Sequence, residues 1–275
     1  HLTSMYIPHL GTPVAHELAQ FHELARTLRK ECPWDAEQTH QSLVRYLIEE
    51  TYEVVDAISR LNENDPTTDV DLIEELGDLL YQVEFHAAIA EEQGRFTMAD
   101  VARTVHDKLV SRHPHVFSDV VVSSSEDVES NWEAIKKAEK PERSGPFDGV
   151  VEAAPALSFA TKVQQRASRV GFDWANSDGP LEKVAEELQE VHNAIGVGDP
   201  ESTMVEVGDL FFAVVNVARH LDIDPESALR SAVFKFRARV EGVTQLAASQ
   251  GLEMASLSAS ELDELWEVVK SHPTH

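Results

Sequence analysis

Residues 181–220 read as two consecutive helices, and they constrain the fold more than any other part of the chain. In the second of these helices, apolar residues cover most of the circumference between positions 204 and 218, which predicts a buried helix. A narrow polar stripe on it carries Glu206 and Asp209. Because carboxylates on a buried helix are costly unless something compensates them, the stripe predicts a partner for these two acids.

The preceding helix carries Glu187 and Glu190, one turn apart, at the edge of its own apolar face. That face is predicted to consist of Leu181, Val184, Leu188 and Val191. The two helices together would bring two acids each to one place, and a hard divalent cation with oxygen ligands is the simplest remedy for their repulsion. A pair of Glu residues at this spacing is more often a solvated surface, and that reading suits Glu186. It accounts poorly for Glu206 and Asp209, whose helix has almost no other polar surface.

Charge and composition exclude several classes of function. The chain carries 23 basic and 49 acidic residues, a net charge of -26, which argues against nucleic acid and anionic membranes as partners. The longest apolar run, at 210–215, is far too short to span a bilayer. No signal peptide is recognisable, although the chain opens with His1 rather than Met. The single cysteine excludes a disulfide framework, so we expect a reducing, cytoplasmic location.

The periodicity predicts an all-α protein, because helical patterns separate clusters of Gly and Pro and no convincing hairpin is present. Residues 140–155 contain three prolines and two glycines and read as a linker. The predicted organisation is therefore an N-terminal module at 1–139, a linker at 140–155 and a C-terminal module at 156–275.

The two halves repeat one ordered set of motifs. Each has an EExxE motif, an ExxD motif that opens an apolar helix, and a KxxxR motif further on. The acids of the first half are Glu49, Glu50, Glu53, Glu75 and Asp78, and those of the second are Glu186, Glu187, Glu190, Glu206 and Asp209. A whole ordered set that occurs twice indicates duplication and is hard to explain by packing alone. Gly77 and Gly208 precede the two Asp residues, and glycine inside a helix predicts close helix approach or a neighbouring ligand.

Further motifs support a family resemblance. The first half contains Cys32-Pro33-Trp34-Asp35, and the second contains Gly171-Phe172-Asp173-Trp174. With the paired EExxE and ExxD motifs, the chain resembles the MazG family of nucleoside triphosphate pyrophosphohydrolases from about His16 onward. The resemblance implies two tandem four-helix-type modules that dimerise through helix bundles, with the second module as the catalyst.

The resemblance also implies an activity. It is the Mg²⁺-dependent cleavage of nucleoside triphosphates to monophosphate and pyrophosphate, with Mn²⁺ as a possible substitute for Mg²⁺. Ribonucleotides, deoxynucleotides and damaged nucleotides are all candidate substrates, in a house-cleaning or pool-control role. A water activated by a divalent cation and a carboxylate suits attack at the α-phosphorus.

Family positions carry over to particular residues of this chain. The implied catalytic and metal-binding residues are Glu187, Glu190, Glu206 and Asp209, with N-terminal counterparts Glu50, Glu53, Glu75 and Asp78. The implied nucleotide-binding residues are Lys183, Glu186, Lys235, Arg239 and Trp266. Residues 202–205 supply no lysine where a family member can carry one that faces phosphate.

Each basic or aromatic position also has a plainer interpretation. Lys235 and Arg239 lie one turn apart and could hold a phosphate tail, or they could be ordinary surface residues. Trp266 could stack on a base or belong to the core of an amphipathic helix.

Two other function classes compete with the hydrolase. A carboxylate di-iron bundle needs Glu-x-x-His, but Glu190 is followed by Asn193 and Asp78 by Tyr81 at that spacing. The non-enzyme alternative is a metal-binding helical scaffold or interaction module without turnover, and it could hold for the first half even if the second is catalytic.

The residues beside the acids differ between the halves. The first half has Gln82 and Phe85 where the second has Ala213 and Asn216. The bulkier pair predicts less space for a nucleotide in the first half.

Overall fold

The computed structural model describes residues 13–140 and 145–271. The parts of the predicted modules and linker that fall at 1–12, 141–144 and 272–275 lie outside the described residues. The described residues form helices and turns without a β-strand, which confirms the all-α class. They divide into two compact units, one ending at Glu139 and the other beginning at Lys140. No helix of these described ranges has the length and apolar character needed to cross a bilayer.

The first unit contains seven helices within its described residues. They are α1 (Pro13–Glu31), α2 (Pro33–Glu37), α3 (His40–Arg60), α4 (Thr67–Glu92), α5 (Met98–Arg112), α6 (Pro114–Phe117) and α7 (Ser125–Glu139). Helix α3 carries the EExxE motif and packs along α4, which carries the ExxD motif. Both α3 and α5 begin with a capping box, formed in α5 by Thr97 and Asp100.

An aromatic cluster occupies the centre of the first unit. Leu43, Phe85 and Ile89 are buried, and Tyr46 and Tyr81 pack against them. The ring of Trp34 adds a further face, with its centroid 6.5 Å from that of Phe85 and 5.6 Å from that of Tyr46.

The second unit repeats the helix pair that carries the acids. Its helices are α8 (Ala156–Arg169), α9 (Asp178–Val197), α10 (Pro200–His220), α11 (Pro225–Ser249) and α12 (Ala259–Ser271), with a 3-10 turn at Met254–Ser256. Helix α9 packs along α10, whose other neighbours are α8 and α11. Helix α11 begins with a capping Asp224, which accepts a hydrogen bond from Ser227 N, and Pro225 occupies its first turn.

The predicted burial of the apolar helix at 204–218 is wrong for the single chain. Met204 is 71% exposed and Phe211 61% exposed, whereas Ala213, Val215 and Asn216 are the buried residues of α10. The predicted apolar face of α9 is also not covered, since Leu181 and Leu188 are exposed. The reason is geometric, because helices within one small unit cover α10 on some sides only.

The glycines before the two Asp residues do not mark close helix approach. A Cβ atom at Gly77 or Gly208 would meet nothing within 4 Å. This part of the prediction is therefore wrong within the described chain.

Candidate metal and nucleotide site

Two helices of the second unit bring three acids together. Oxygen atoms of Glu187 and Glu190 on α9 and of Glu206 on α10 all lie within 4.8 Å of one another. The fourth predicted acid, Asp209, lies one turn beyond Glu206 on α10 and lines the adjoining cavity instead of joining this group of three. We call Glu187, Glu190 and Glu206 the second-unit carboxylate cluster.

Lysine 183 supplies a cation at the edge of this cluster. Its Nζ lies 2.5 Å from Glu187 Oε1 and 2.9 Å from Glu186 Oε1. These hydrogen bonds, first to Glu187 and then to Glu186, raise the pKa of Lys183 above its usual range. Lys183 and Glu186 are both predicted to contact the nucleotide. Lys183 contacts Glu187 of the cluster directly, and Glu186 is linked to the cluster through Lys183.

Repulsion within the cluster affects the pKa of one member, Glu190. A hydrogen bond with Glu187 is the main cause that raises the pKa of Glu190, followed by burial and by the charges of Glu187 and Glu206. Protonation would relieve this repulsion, and so would a cation.

The donor set fits a divalent metal ion. Glu187 is only 4% exposed, and its Oε2 is buried without a hydrogen-bond partner in the described chain. A buried carboxylate oxygen without a donor is costly, and a cation satisfies it. Carboxylate oxygens are the ligands that hard cations such as Mg²⁺ and Ca²⁺ prefer. The second-unit cluster therefore could hold a divalent cation.

The first unit also contains a group of three acids, Glu50, Glu75 and Asp78, within 4.8 Å of one another, with the counterpart of Asp209 in place of the counterpart of Glu190. Burial raises the pKa of Glu50 to about 7, helped by a hydrogen bond with Glu53 and by the charge of Asp78. Burial also raises the pKa of Glu75, followed by the charges of Glu53 and Asp78. Glu53 thus helps to raise the pKa of Glu50 and of Glu75 without being one of the three acids.

A cavity of about 350 Å³ adjoins the second-unit cluster. Lys183, Glu187 and Asp209 contribute to its wall on the side of the acids. Aromatic side chains form much of the rest, and two buried amides complete it. These residues are Phe147, Phe172, Trp174, Phe212, Gln164 and Asn216. We call this space the amide cavity.

The segment 171–174 is anchored to α10 by an ionic network. Asp173 accepts hydrogen bonds from Arg219 Nη1 at 2.9 Å and Nη2 at 2.5 Å, and its Oδ1 lies 2.9 Å from His220 Nε2. The bonds from Arg219 are the main reason that the pKa of Asp173 is lowered. At Gly179 a Cβ atom would collide with the indole of Trp174, so glycine allows that ring to lie against the start of α9. These contacts hold Phe172 and Trp174 beside the acids.

Comparison with known proteins decides the family. The model of the MazG nucleotide pyrophosphohydrolase domain matches residues 38–117 and 178–244, the two segments that carry the carboxylate groups. The chain belongs to the MazG family. The predicted family and its enzyme class, a pyrophosphohydrolase, are thereby confirmed.

Several curated MazG relatives align over most of the chain. A nucleoside triphosphate pyrophosphohydrolase/pyrophosphatase MazG from Thermotoga maritima is 44% identical over 256 residues, which cover 91% of this chain and 95% of the relative. A nucleoside triphosphate pyrophosphohydrolase from Escherichia coli K12 is 42% identical over 243 residues, covering 87% of this chain and 90% of the relative. One from Mycobacterium tuberculosis is 41% identical over 214 residues, covering 72% of this chain and 61% of the relative.

The remaining residues predicted from the MazG resemblance lie on other helices and do not line the amide cavity. Trp266 on α12 packs against the core of Val243, Ala247 and Leu265. The guanidinium of Arg239 on α11 lies 5.6 Å from the centre of the Trp266 ring. In one chain Trp266 is therefore a core residue, and its stacking on a base remains a prediction, as does the contact of Lys235 and Arg239 with phosphates.

Sequence reasoning missed the cavity residues Gln164 and Asn216 as candidates for ligand contact. Asn216 carried a signal, since it replaces Phe85 of the first half on the acid stripe. Gln164 carried none, because nothing in the local pattern of α8 distinguishes it from its neighbour Gln165. The motif at 171–174 was visible as a MazG signature, but the sequence did not indicate what it contacts.

Proposed function

We propose that this chain hydrolyses nucleoside triphosphates between the α- and β-phosphorus atoms, releasing a nucleoside monophosphate and pyrophosphate, with Mg²⁺ held by the second-unit carboxylate cluster. The observation that carries the proposal is the cluster of Glu187, Glu190 and Glu206 beside an open cavity of about 350 Å³, in a chain of the MazG family. The relatives from Thermotoga maritima and Escherichia coli are nucleoside triphosphate pyrophosphohydrolases by name, which supports the same reaction.

The residues of the cluster have distinct roles in this proposal. Glu187, Glu190 and Glu206 would hold the cation, and Asp209 would face the substrate from the cavity wall. When bound there, Mg²⁺ or Mn²⁺ would supply positive charge that offsets the phosphates and promotes deprotonation of water. Lys183 fixes one oxygen of Glu187, which leaves the other oxygen free for the cation. A carboxylate of the cluster accepts the proton of the attacking water.

The phosphate tail requires more positive charge than Lys183 provides. Lys235 and Arg239 on α11 are the proposed source, since Arg and Lys side chains one turn apart suit a polyphosphate. Ordinary, deoxy and damaged nucleotides are all proposed substrates, consistent with a role in control of the nucleotide pool.

Product analysis tests the proposed reaction. With Mg²⁺ and one pure triphosphate, we expect ion-exchange chromatography to resolve equimolar monophosphate and pyrophosphate. Addition of EDTA should abolish both products, because the carboxylates alone repel the polyphosphate. Nucleoside diphosphate with inorganic phosphate as the products would place attack at the γ-phosphorus and contradict the proposal.

We also propose that the chain forms a homodimer through the uncovered faces of the helix bundle. The supporting observation is the exposure of Met204, Val205, Phe211 and Val214 on α10, a helix that is apolar on nearly all sides. An isolated protein rarely leaves so continuous an apolar surface in water, and a second copy of the same surface is a common cover.

Light scattering coupled to gel filtration tests the dimer. We expect twice the mass of the chain at micromolar concentration, and we expect Phe211→Asp to shift the mass towards one chain because a charge in the interface is costly. Val121→Asp is the matched control, since Val121 is 93% exposed in the first unit and should leave the mass unchanged. A fully active monomer would contradict this proposal.

A metal-binding scaffold without turnover is the second candidate for the first unit alone. The observation that favours it is the burial of Phe85 and Gln82 beside Glu50, Glu75 and Asp78, where the second unit has the amide cavity. The acids of the first unit could hold a cation, and we propose that the buried aromatic cluster leaves too little room for a nucleotide beside them.

A further inference from the structure

The amide cavity has the properties of a site for a planar, partly apolar group. Its volume of about 350 Å³ lies at the lower end of the range for small-molecule pockets, roughly 300–1,000 Å³. Phe172 and Trp174 line it while 80% and 44% exposed, so their rings are available to a ligand. Aromatic rings stack on nucleobases with little regard to sequence because every base has a π face.

Two buried amide side chains give this cavity directional hydrogen bonding. Gln164 on α8 is 5% exposed, and its Nε2 donates to the carbonyl oxygen of Phe212 at 2.8 Å. Because a carbonyl oxygen only accepts, this bond fixes the orientation of the amide. The Oε1 of Gln164 is then left buried and without a partner in the described chain. A buried acceptor of this kind is costly unless a ligand supplies the donor.

Asn216 on α10 is oriented in the opposite sense. It is 6% exposed, and its Oδ1 accepts from Arg219 Nε at 2.9 Å and Nη2 at 2.7 Å. Arg219 only donates, so the oxygen of Asn216 must face it and the amide nitrogen remains. The side-chain hydrogen bonds of Asn216 within the described residues are both made by its Oδ1, and Asn216 lines the cavity, so its Nδ2 is the group available to a ligand. The wall therefore offers one acceptor, from Gln164, and one donor, from Asn216.

We propose that the amide cavity binds the nucleobase of the triphosphate, with Asn216 Nδ2 donating to an acceptor on the base edge and Gln164 Oε1 accepting from an N–H of the base. This inference rests on the proposed function and assigns the base end of that substrate to the amide cavity, in place of stacking on Trp266, which does not line the cavity. Each common base carries both an acceptor and an N–H on one edge. The phosphate tail is expected at the edge of the cavity formed by Lys183, Glu187 and Asp209, where a bound cation would offset its charge, and this leaves the aromatic and amide part of the wall for the base.

The duplication within the chain supports the assignment. Phe85 occupies the position in the first half that Asn216 occupies in the second, and Gln82 corresponds to Ala213. Phe85 is 2% exposed and packs on Trp34 and Tyr81, so aromatic side chains fill the core of the first unit. The smaller residues of the second unit remove that filling beside the acids.

The substitution Asn216→Asp tests the donor. It keeps the oxygen that accepts from Arg219 and replaces the NH₂ donor by a second acceptor, with almost no change in shape. The measurement is kcat/KM for pyrophosphate release from ATP, GTP, CTP and UTP, together with ribose 5-triphosphate, which has the same tail but no base. Where ribose 5-triphosphate turns over too slowly, its competitive inhibition constant replaces kcat/KM.

We expect Asn216→Asp and Gln164→Met each to lower kcat/KM for the nucleotides about 10- to 100-fold, since each leaves a buried polar group of the base unpaired. Values for ribose 5-triphosphate should change by no more than about twofold. Gln165→Leu is the matched control, because Gln165 is the next residue of α8 and does not line the cavity. It should change neither class of substrate.

Three results would overturn the inference. Equal losses for nucleotides and ribose 5-triphosphate would mean that the substitutions damage the site as a whole. Unchanged nucleotide kinetics in both variants, with circular dichroism confirming the fold, would place the base elsewhere. Absence of pyrophosphate with the unsubstituted protein and every triphosphate would contradict the proposed function itself, and the inference would fall with it.

Discussion

Glu206→Ala and Asp209→Ala are expected to abolish pyrophosphate release, whereas Glu75→Ala and Asp78→Ala should leave most of it. Glu206 is one of three acids within 4.8 Å of one another, and removing it leaves an incomplete ligand set for the cation that activates water. Asp209 adjoins Glu187 on the cavity wall, where the α-phosphorus is expected. The loss should be roughly a thousandfold or more, since each factor of ten corresponds to about 1.4 kcal/mol of activation free energy.

The first-unit variants are the matched controls for this experiment. Their acids form a similar group, but the position equivalent to Lys183 is Tyr46, which packs into the aromatic core. Burial and neighbouring acids raise the pKa of Glu50, and no lysine is among the residues that affect it. Pyrophosphate release should be measured for all four variants at saturating Mg²⁺, with circular dichroism confirming that each is folded. Equal loss from both halves would mean two active sites or one shared site, and the assignment to the second unit would be wrong.

The convergence of the acids was accessible from sequence because it depends on local geometry. Glu187 and Glu190 share a helix face by their spacing, and Glu206 starts the corresponding stripe on the next helix. Two consecutive helices joined by a short turn pack against each other, so the stripes meet. The sequence did not indicate that Glu187 would be almost fully buried, because that depends on which face of α9 turns towards α10.

The amide cavity was not accessible in the same way. Its wall combines Gln164 from α8, Phe172 and Trp174 from the following turn, and Asn216 from α10. Which of two adjacent glutamines on α8 points inward depends on how that helix rotates against α10, and single-sequence periodicity does not fix this rotation. The difference between Phe85 and Asn216 was visible in the sequence, and the smaller space that it predicts beside the acids of the first half stays a prediction.

The exposure of α10 shows the limit of reading burial from an apolar pattern. Periodicity identifies surfaces that avoid water, but it does not say whether the same chain or another covers them. Phe211 is exposed within its unit, although its helix has the composition of a core helix. The pattern therefore predicts a need for cover, and the homodimer is the proposed answer to it.

Phe85→Ala is expected to destabilise the first unit by about 3–5 kcal/mol, because it removes a large aromatic ring from a closed core. Phe85 is 2% exposed, and its ring centroid lies 5.4 Å from that of Tyr81. Leu43 and Ile89 belong to the same buried cluster. Because α3 and α4 hold their backbones in place, these side chains are not expected to fill the space left by the ring. Under the scaffold interpretation of the first unit, this ring stabilises the fold and contacts no substrate.

Native-state hydrogen exchange separates the two units in the intact chain. Amides of α3 and α4 that exchange by unfolding of the first unit should exchange roughly 100- to 5,000-fold faster in Phe85→Ala, while those of α9 and α10 keep their rates. Phe117→Ala is the matched control in the same unit, since Phe117 is 62% exposed and its removal should change stability by no more than about 0.5 kcal/mol. Unchanged exchange in α4 would show that the aromatic cluster does not hold the unit together. Loss of turnover in Phe85→Ala, with α9 and α10 protected as before, would give the first unit a direct part in the reaction and contradict its interpretation as a scaffold.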